Sequence, residues 1–384
     1  MAELELGSGV RAVPAAEWNA LVGADSPFLE WEWLASLEEA GCVGHETGWA
    51  PRPLLLHEAG RLVAACPLYL KGHSEGEFVF DFGWADAAER AGISYYPKLL
   101  VGVPFTPVAG ARLLSAPGEP RAERVRQLAA ALAELCGGNR LSGAHVNFCR
   151  EDEHDALAEA GFLPRLGFQY HWRNRGFASF EDWLGSLRSK RRNQVRREQR
   201  ELEAQGVRIE RLTGDAIPDA LIAPMFEIYL TTVRGNPWGR QYLNARFFEL
   251  LAARFRHRLC FVVARAGAEI VAGTINVQKG DVLYGRYWGA LRPLRHLHFN
   301  VCYYAGIAHC VEHGLARFEP GAGGEYKQWR GFDAVPTWSF HWLADARLRH
   351  AVERFLERER AEAGHAIDWY RAHSATRKRS GSVS

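Results

Sequence analysis

Apolar and polar residues alternate along the chain with two periods, which together predict a mixture of helices and strands. Residues 26–41 carry apolar side chains at helical spacing, begin with Ser26-Pro27 and stop at Gly41. A β-hairpin with its turn at Ala59-Gly60 is predicted to follow. In chain order, the first half is predicted as helix 26–41, hairpin 53–70, helix 121–136, strand 144–149 and helix 152–160.

The second half repeats this order of elements with additions. Ser179-Phe180-Glu181-Asp182 has the spacing of a capping box and is predicted to open a helix. In chain order, the second half is predicted as helices 180–187, 188–205, 218–233 and 244–256, strands 259–265, 269–278 and 282–289, helix 300–313, strand 315–319 and helix 345–372. Such a series is typical of a mixed α/β or α+β fold.

A short aromatic signature occurs twice in the sequence. Gly161-Phe162 … His171-Trp172 and Gly331-Phe332 … His341-Trp342 have identical internal spacing and stand 170 residues apart. Two weaker echoes precede them, 60–65 with 268–273 and 146–148 with 316–318. Three echoes in the same order predict one α/β fold used twice. The predicted division is a first domain at 1–172, a second, catalytic domain at 173–374 and a disordered tail at 375–384.

The first copy is longer than the second. Leu62 to Gly161 spans 99 positions, whereas Ile270 to Gly331 spans 61, so about 38 extra residues fall in 72–110. A long insertion without strong periodicity is functional or disordered. Because this one is rich in aromatic residues, it is predicted to be ordered and functional.

The composition excludes several classes of protein. A chain of 384 residues with 47% apolar and 24% charged residues is typical of two globular domains, and a net charge of +2 gives no global reason to expect nucleic acid or an anionic membrane as partner. Seven scattered cysteines are predicted to be reduced. With an acidic N-terminus and no long apolar run, we expect a soluble, cytoplasmic protein without an integral membrane segment.

Several long, unusual strings resemble those of a known family. They are Trp84-Ala-Asp-Ala-Ala-Glu-Arg, Tyr95-Tyr96-Pro97-Lys98-Leu99, Val103-Pro104-Phe105-Thr106-Pro107, Leu283-Tyr-Gly-Arg-Tyr-Trp-Gly289 and Gly-x-Gly-Gly-Glu-Tyr-Lys-x-x-Arg-Gly-Phe at 321–332. With these strings, residues 10–370 resemble the Fem-like branch of the GNAT acyltransferase superfamily. More narrowly, the chain is similar to predicted N-acyltransferases labelled as peptidoglycan biosynthesis proteins.

The resemblance implies two tandem GNAT-like domains and an N-acyltransferase that acts on an amine. Tyr326-Lys327, followed by Gly331-Phe332, matches an aromatic-lysine pair whose lysine is implicated near the reacting carbonyl. The implied co-substrate is acyl-CoA or aminoacyl-tRNA, with no tightly bound cofactor, and the implied acceptor is a small molecule or a cell-wall precursor. The Gln/Arg-x-x-Gly-x-Gly/Ala loop and an obvious long helical arm are both missing, which leaves the donor open.

The segment after the last predicted strand offers groups for acyl transfer. This reaction requires an ammonium to lose a proton, an oxyanion to be stabilised and a leaving group to be protonated. Glu319 ends the strand, a glycine-rich loop follows, and Glu325 and Lys327 open a short helix. Glu319 or Glu325 is predicted to handle the proton and Lys327 to stabilise the oxyanion. The alternative is an ordinary loop with a solvated lysine; the spacing is not that of a P-loop.

Further residues of the second half are candidates for substrate binding. Tyr284, Arg286 and Trp288 are predicted to share one face of a strand, where the arginine could bind an anion or simply pack across strands. His298 precedes helix 300–313, whose N-terminus could orient an anion unless Asn300 merely caps it.

The two signature histidines and the insertion complete the substrate-binding candidates. The equivalence of His171 and His341 favours packing for His171, while His341, which follows the Lys327 segment, is left as a candidate for substrate binding. The insertion is predicted to line an acceptor cleft that faces the second domain, with core packing as the alternative. Its candidates are Asp81, Trp84, Tyr95, Tyr96, Lys98 and Thr106.

Two other patterns allow alternative interpretations. The basic stretch 188–200 is either a solvated helix face or a phosphate contact, to CoA or to a tRNA acceptor stem. His309-Cys310-Val311-Glu312-His313 matches the H-x-x-E-H zinc-peptidase pattern, so a zinc hydrolase acting through His309 and His313 is a remote alternative. Their place in the last helical turn equally suits the helix dipole, and no metal is expected. A non-catalytic binding module on a degenerate acyltransferase fold is the other alternative.

Overall fold

In a computed structural model, which describes residues 2–235 and 240–376, the chain forms two compact units. Among these residues, unit 1 comprises 2–167, 242–251 and 336–365. Unit 2 comprises 168–235, 240–241, 252–335 and 366–376. The predicted boundary between 172 and 173 is therefore not the boundary of the units, because two segments of the second half belong to unit 1.

The elements largely follow the predicted order. In the first half they are β1 Ala2–Leu6, α1 Ala15–Val22, α2 Trp31–Glu39, β2 Trp49–Pro51, β3 Leu54–Glu58, β4 Arg61–Cys66, β5 Leu68–Lys71, α3 Phe82–Arg90, β6 Lys98–Val101, β7 Leu114–Ser115, α4 Arg121–Gly138, β8 Gly143–Cys149, α5 His154–Glu159 and β9 Leu163–Arg173. In the second half they are α6 Phe180–Ser186, α7 Ser189–Glu203, β10 Val207–Thr213, α8 Ile222–Arg234, α9 Ala245–Arg254, β11 Leu259–Ala266, β12 Glu269–Lys279, β13 Val282–Ala290, α10 Leu297–Phe299, a π-helix Asn300–Tyr304, α11 Ala305–Glu312, β14 Arg317–Glu319, a 3₁₀ turn Glu325–Arg330, β15 Asp333–Leu343 and α12 Ala346–Ala372.

Unit 1 contains two sheets around one main apolar core. The strand orders are β1-β3-β4-β7 and β15-β8-β6-β5-β2, with β6 and β8 parallel and the other pairs antiparallel. Helix α4 buries Val125, Leu128 and Leu132 at helical spacing in the same core as Val63 of β4 and Val146 of β8. The predicted strand of the hairpin divides at Pro67, so that β4 and β5 belong to different sheets.

Unit 2 is organised by a sheet of order β10-β11-β12-β13-β14-β9. The predicted meander β11-β12-β13 is antiparallel, and β13 and β14 form a parallel pair. Helix α11 buries Ile307 and Cys310 in one core with Phe318 of β14 and Leu283 of β13. The sheet therefore brings the ends of β13 and β14 side by side.

The two signature copies build strands of the same length after a glycine. Gly161 and Gly331 both have positive φ, at 86° and 83°, and β9 and β15 both begin two residues later. Each strand crosses from one unit to the other, so that His171 lies in unit 2 and His341 in unit 1. The duplication itself stays a prediction.

Two local predictions need correction. Ser26 does not cap a helix: Pro27–Leu29 form a 3₁₀ turn, and α2 begins at Trp31. The predicted disordered tail begins too early, because Ala375 is buried and Thr376 pairs with Leu187 in unit 2. Residues 377–384 lie outside the described residues.

A close approach of β13 to α8 requires glycine at position 289. A Cβ built there would lie 1.9 Å from the carbonyl oxygen of Ile228 and 2.3 Å from Thr231 Oγ1. We expect Gly289→Ala to lower the free energy of unfolding by about 2–4 kcal/mol, because the backbone of α8 cannot give way cheaply. Thermal and urea unfolding measure this. Gly185→Ala, where the Cβ meets nothing within 4 Å, is the matched control; equal unfolding midpoints for the two variants would contradict the prediction.

Two further observations bear on the composition. All seven cysteines are free, as predicted. Within the described ranges, no helix is both long and apolar enough to cross a membrane.

Candidate functional site

The candidate site of unit 2 begins where β13 and β14 stop pairing. Their parallel register ends at Tyr284 opposite Glu319. Beyond this pair the chain turns through a glycine-rich loop, in which Gly321, Gly323 and Gly324 all have positive φ. A Cβ at Gly321 would lie 3.2 Å from the carbonyl oxygen of Gly285, so the loop runs close against β13. The loop leads into the 3₁₀ turn that carries Lys327.

Lys327 is buried and is held by the glycine loop. The residue is only 2% exposed, and its Nζ donates to the carbonyl oxygens of Gly321, at 2.6 Å, and Ala322, at 3.2 Å. Burial lowers the pKa of Lys327 to about 8. The solvated lysine that was the alternative interpretation is therefore wrong. An ammonium in this place can donate a further hydrogen bond to a ligand.

Glu319 is buried at the end of β14. Its Oε1 lies 2.9 Å from Nε of Arg317, and its Oε2 lies 3.8 Å from Nε2 of His171 and has no hydrogen-bond partner among the described residues. Burial raises the pKa of Glu319 to about 7, against the opposing charges of Arg317 and Arg173. Burial also lowers the pKa of His171 to about 3, so this histidine is neutral. A carboxyl group with a pKa near neutrality can accept and release a proton.

Glu325, the other carboxylate predicted to handle the proton, is exposed at the start of the 3₁₀ turn. The structure therefore separates the two candidates by environment: Glu319 is buried beside the loop, whereas Glu325 faces solvent. A proton carrier needs a pKa near neutrality, which burial gives to Glu319, so Glu319 is the better candidate for this role.

A β-bulge overturns the predicted face of β13. Asn276 pairs with Gly285 and Ile275 with Tyr287, so Arg286 is the extra residue. This insertion places Tyr284 on the same face as Tyr287, and Trp288 on the opposite face. The prediction that Tyr284, Arg286 and Trp288 share a face is wrong, since regular alternation does not continue through a bulge.

Trp288 and His298 are brought together in an aromatic cluster beside the Lys327 turn. Their ring centroids are 4.5 Å apart, and His298 also lies near the rings of Phe299, Tyr303 and Tyr326. Burial, with the charges of Arg330 and Lys327, lowers the pKa of His298 to about 4. A neutral imidazole and partly exposed aromatic rings therefore line this side of the site.

The region around residue 300 is helical earlier than predicted. Helix α10 begins at Leu297 and passes into a π-helix at Asn300. Asn300 donates Nδ2 hydrogen bonds to the carbonyl oxygens of His296 and Glu198. It is neither an N-cap nor at a helix N-terminus, so the predicted anion site at this end is wrong. A π-helix in this position is of the kind found at functional sites.

The basic stretch forms helix α7, which packs against the Lys327 turn. Part of its charge is paired on the surface, as in Arg196 with Glu181 at 2.6 Å. The guanidinium of Arg191 lies 4.9 Å from the ring of Trp329, which is 47% exposed. Arg188 and Lys190 are exposed at the first turn. The surface next to the turn is therefore both basic and aromatic.

The insertion of unit 1 forms a second buried group of charges, here called the Lys98 network. It comprises Lys71, Ser74, Glu77, Asp81, Tyr95, Tyr96 and Lys98. Lys98 Nζ lies 2.5 Å from Asp81 Oδ2, 3.0 Å from Glu77 Oε2 and 2.8 Å from Ser74 Oγ. The hydroxyl of Tyr95 donates to the same oxygen of Asp81 at 2.7 Å. Four of the six residues predicted for this segment thus belong to one network.

The protonation states of the Lys98 network follow from burial and pairing. Burial disfavours the charge of each group, but the carboxylates of Glu77 and Asp81 outweigh it at Lys98 and raise its pKa. At Asp81 the charge of Lys98 likewise outweighs burial, and the pKa is about 2. Burial dominates at Glu77 and Lys71, whose pKa values are both about 7. Lys98 and Asp81 are therefore a charged pair at neutral pH.

Trp84, His341 and Thr106 lie outside this network but in the same unit. His341 faces His145 across β15 and β8, with their Nδ1 atoms 2.7 Å apart, and the ring of Trp84 packs edge-on to His341 at 4.9 Å. His341 is only 1% exposed. Thr106 donates to the carbonyl oxygen of Pro104 and is buried. The contacts of His341 and Trp84 lie within unit 1, and a role of these three residues in substrate binding stays a prediction.

The zinc pattern does not assemble a metal site within residues 2–235 and 240–376, which contain no group of three His, Cys, Asp or Glu side chains placed to hold a metal ion. His309 Nε2 is 2.8 Å from Gln278 Oε1, and His313 Nδ1 is 3.0 Å from the carbonyl oxygen of His309. Both histidines use their ring nitrogens within the helix and the sheet.

Sequence reasoning missed Lys71, Glu77, Glu198, Arg330 and Tyr304, all of which are buried in polar networks. One signal was available. The chain has only six lysines among its 47 basic residues, and three of these, Lys71, Lys98 and Lys327, are buried. The scarcity of lysine thus drew attention to Lys71 as well as to Lys98 and Lys327, although Lys190 is exposed.

Comparisons with known proteins agree with this fold. A profile of the FemAB-like family, described as peptidoglycan biosynthesis/recognition, matches residues 9–378. No curated protein sequence matches the chain. The C-terminal domain of a putative lysylphosphatidylglycerol synthetase from Agrobacterium fabrum is similar with a TM-score of 0.55 and 11% identity, over 89% of this chain and 95% of that one.

Two further solved structures are similar to this chain. FemX has a TM-score of 0.54 and 12% identity, over 89% of this chain and 98% of its own. L-PGS from Bacillus licheniformis has a TM-score of 0.51 and 8% identity, over 84% and 95%. At these identities the similarity concerns the fold alone. The predicted mixed α/β, Fem-like fold is confirmed.

Proposed function

The chain belongs to the FemAB-like family, and from that premise we propose that unit 2 transfers an acyl or aminoacyl group to an amine. The donor is a thioester or an ester, and the acceptor is the amine of a cell-wall precursor. The amine nitrogen attacks the carbonyl carbon, the carbon–sulfur or carbon–oxygen bond breaks, and one proton passes from the nitrogen to the leaving group.

One observation carries this proposal. Glu319 and Lys327 are both buried, are joined by the glycine loop, and have pKa values of about 7 and about 8 at the point where β13 and β14 stop pairing. Pairs of buried groups with pKa values moved toward neutrality are typical of catalytic sites. In the proposed reaction Glu319 takes a proton from the acceptor ammonium, the resulting amine attacks the carbonyl carbon, and Lys327 donates to the oxyanion.

The surroundings of Lys327 support a donor that carries phosphate. Helix α7 presents Arg188 and Lys190, and Arg191 stacks on the exposed Trp329 next to the turn. Acyl-CoA and the acceptor end of aminoacyl-tRNA both offer phosphates and an aromatic base to such a surface. Both donors remain within the proposal, and no tightly bound cofactor is required. The acceptor amine rests on the family description.

Replacement of Lys327 tests the proposal. We expect Lys327→Met to lower kcat by about 10²–10³, because the oxyanion loses its only ammonium donor from the turn. The assay follows transfer by mass spectrometry, with acyl-CoA and aminoacyl-tRNA donors and amine-bearing cell-wall precursors. Lys279→Met is the control, since Lys279 ends β12 and belongs neither to the glycine loop nor to the Lys327 turn. Full turnover by Lys327→Met on a validated substrate would show that the assignment is wrong.

A second candidate function is non-catalytic binding of a cell-wall precursor, because the family description names recognition beside biosynthesis. For this function we expect isothermal titration calorimetry to show saturable binding of a precursor. The transfer assay should then show no transfer from any donor.

A further inference from the structure

A buried ion pair connects the basic helix to the Lys327 turn. Arg330 Nη2 lies 2.8 Å from Glu198 Oε1, and both residues are only 2% exposed. The hydroxyl of Tyr304 donates to the other oxygen of Glu198 and accepts from Arg330 Nε at 2.9 Å. Three elements, α7, the π-helix and the 3₁₀ turn, each contribute one member of this triad. The three side chains of this Glu198–Arg330–Tyr304 triad are therefore all hydrogen-bonded to one another, and Glu198 Oε1 also accepts from Nε2 of Gln194 at 2.9 Å.

The triad also reaches both walls of the site. Arg330 Nη1 donates to the carbonyl oxygen of Tyr326 at 3.1 Å, directly before Lys327. The guanidinium lies 3.4 Å from the ring centroid of Phe299, which neighbours His298. One side chain thus contacts the backbone of the turn on one side and the aromatic cluster on the other.

A role in stability alone accounts poorly for this arrangement. The attraction within a buried ion pair hardly exceeds the free energy that its desolvation costs. A protein with apolar side chains of similar volume in its place is often as stable. What the pair supplies is a fixed direction, because a guanidinium with several donors fixes the atoms it binds. The atoms fixed here belong to the residue before Lys327 and to the ring beside His298.

We propose that Glu198, Arg330 and Tyr304 are positioning residues that hold the Tyr326–Lys327 turn, and with it the Lys327 ammonium, in place for transfer. This inference rests on the proposed function of unit 2. It adds residues that touch neither the donor nor the acceptor and act through the turn.

Two conservative variants test the proposal through kinetics. We expect Tyr304→Phe and Arg330→Lys to lower kcat by about 10-fold and 100-fold, with the acceptor KM changed less than threefold. A phenylalanine loses only the hydroxyl, and a lysine cannot reach Glu198, Tyr304 and the Tyr326 carbonyl together. The control is Arg124→Lys in unit 1, because Arg124 also pairs with a carboxylate, that of Glu119 at 2.7 Å, although nearer the surface. It should lower thermal stability without changing kcat.

A second readout does not depend on turnover. With six lysines in the chain, selective ¹³C labelling gives a small set of signals, and the signal missing in Lys327→Met identifies Lys327. We expect the titration midpoint of Lys327 to rise from about 8 toward 10.5 in Arg330→Lys, because the loosened turn admits water, and to stay in place in Arg124→Lys.

The kinetic measurement and the titration of Lys327 together distinguish failure of the positioning proposal from failure of the proposed function. If Tyr304→Phe and Arg330→Lys lose only thermal stability, with the kcat and the Lys327 titration of the wild type, the triad is structural and the positioning proposal is overturned. A lower kcat without any change at Lys327 overturns it as well. If Lys327→Met itself retains full turnover, the proposed function fails, and the titration still decides whether the triad holds the turn.

Discussion

Glu319→Gln is expected to reduce transfer by about 10²–10⁴ while making the protein more stable at pH 8. Activity falls because glutamine cannot accept the proton that the acceptor ammonium must lose before the amine attacks. Stability rises because the wild-type protein must keep a charged carboxylate in a buried place at this pH. Opposite signs in the two measurements are typical of a residue retained for chemistry rather than for folding.

The sign of the stability change follows from the pKa. The pKa of Glu319 is about 7 in the folded protein, whereas its ordinary value is 4.5. Between these two pH values the folded state therefore binds more protons than the unfolded state. Its stability therefore falls as pH rises from about 4.5 to about 7. Above pH 7 glutamine removes this cost of burying a charge. We expect a net gain on the order of 1–2 kcal/mol, because Arg317 also loses its carboxylate partner.

Urea unfolding at pH 5 and pH 8 measures this change, and the transfer assay measures the activity. We expect Glu319→Gln to exceed the wild type in stability at pH 8 and to match it more closely at pH 5. Glu325→Gln is the matched control, since it replaces the exposed carboxylate that the sequence left as an alternative. If Glu325→Gln abolishes transfer and Glu319→Gln does not, the two roles must be exchanged.

The second large effect concerns the insertion: Lys98→Met is expected to lower the free energy of unfolding by about 3–5 kcal/mol at pH 8. Methionine fills the same space, but it leaves the carboxylates of Asp81 and Glu77 buried without the ammonium that pairs with both. Lys190→Met on the exposed start of α7 should change stability by less than 0.5 kcal/mol.

The pH dependence and a second substitution make this prediction specific. Without Lys98 both carboxyl groups have raised pKa values, so the variant binds extra protons on folding and its stability falls as pH rises from about 4 to 8. Asp81→Asn in the Lys98→Met background should restore part of the loss at pH 8. A loss that is independent of pH, or not relieved by Asp81→Asn, would mean that packing alone is affected.

The order of elements was predictable because hydrophobic periodicity reports which faces are buried. The meander at β11–β13 and helix α4 lie within a few residues of their predicted bounds. The bulge at Arg286 was not predictable, since it depends on the pairing of β12 with β13 rather than on any residue pattern within β13. A single inserted residue was enough to move Trp288 to the other face.

The site was predictable in part for a related reason. Glu319 and Lys327 flank a glycine loop in the sequence, and short-range order of this kind can be read directly. The Glu198–Arg330 pair joins residues 132 positions apart, and its formation depends on tertiary packing of α7 on the turn. The place of His341 could not be predicted either, because the strand that carries it passes from unit 2 into unit 1.

The passage of β15 into unit 1 has a consequence for how the chain matures on the ribosome. Residues 2–167 of unit 1 emerge before the strand that pairs with β8 and the helix segment up to residue 365, and most of unit 2 is made in between. The N-terminal part must therefore wait with an open sheet edge at β8. A gene cut after residue 172 would release two fragments that each lack part of a unit, so the protein cannot be divided into independent modules along its sequence.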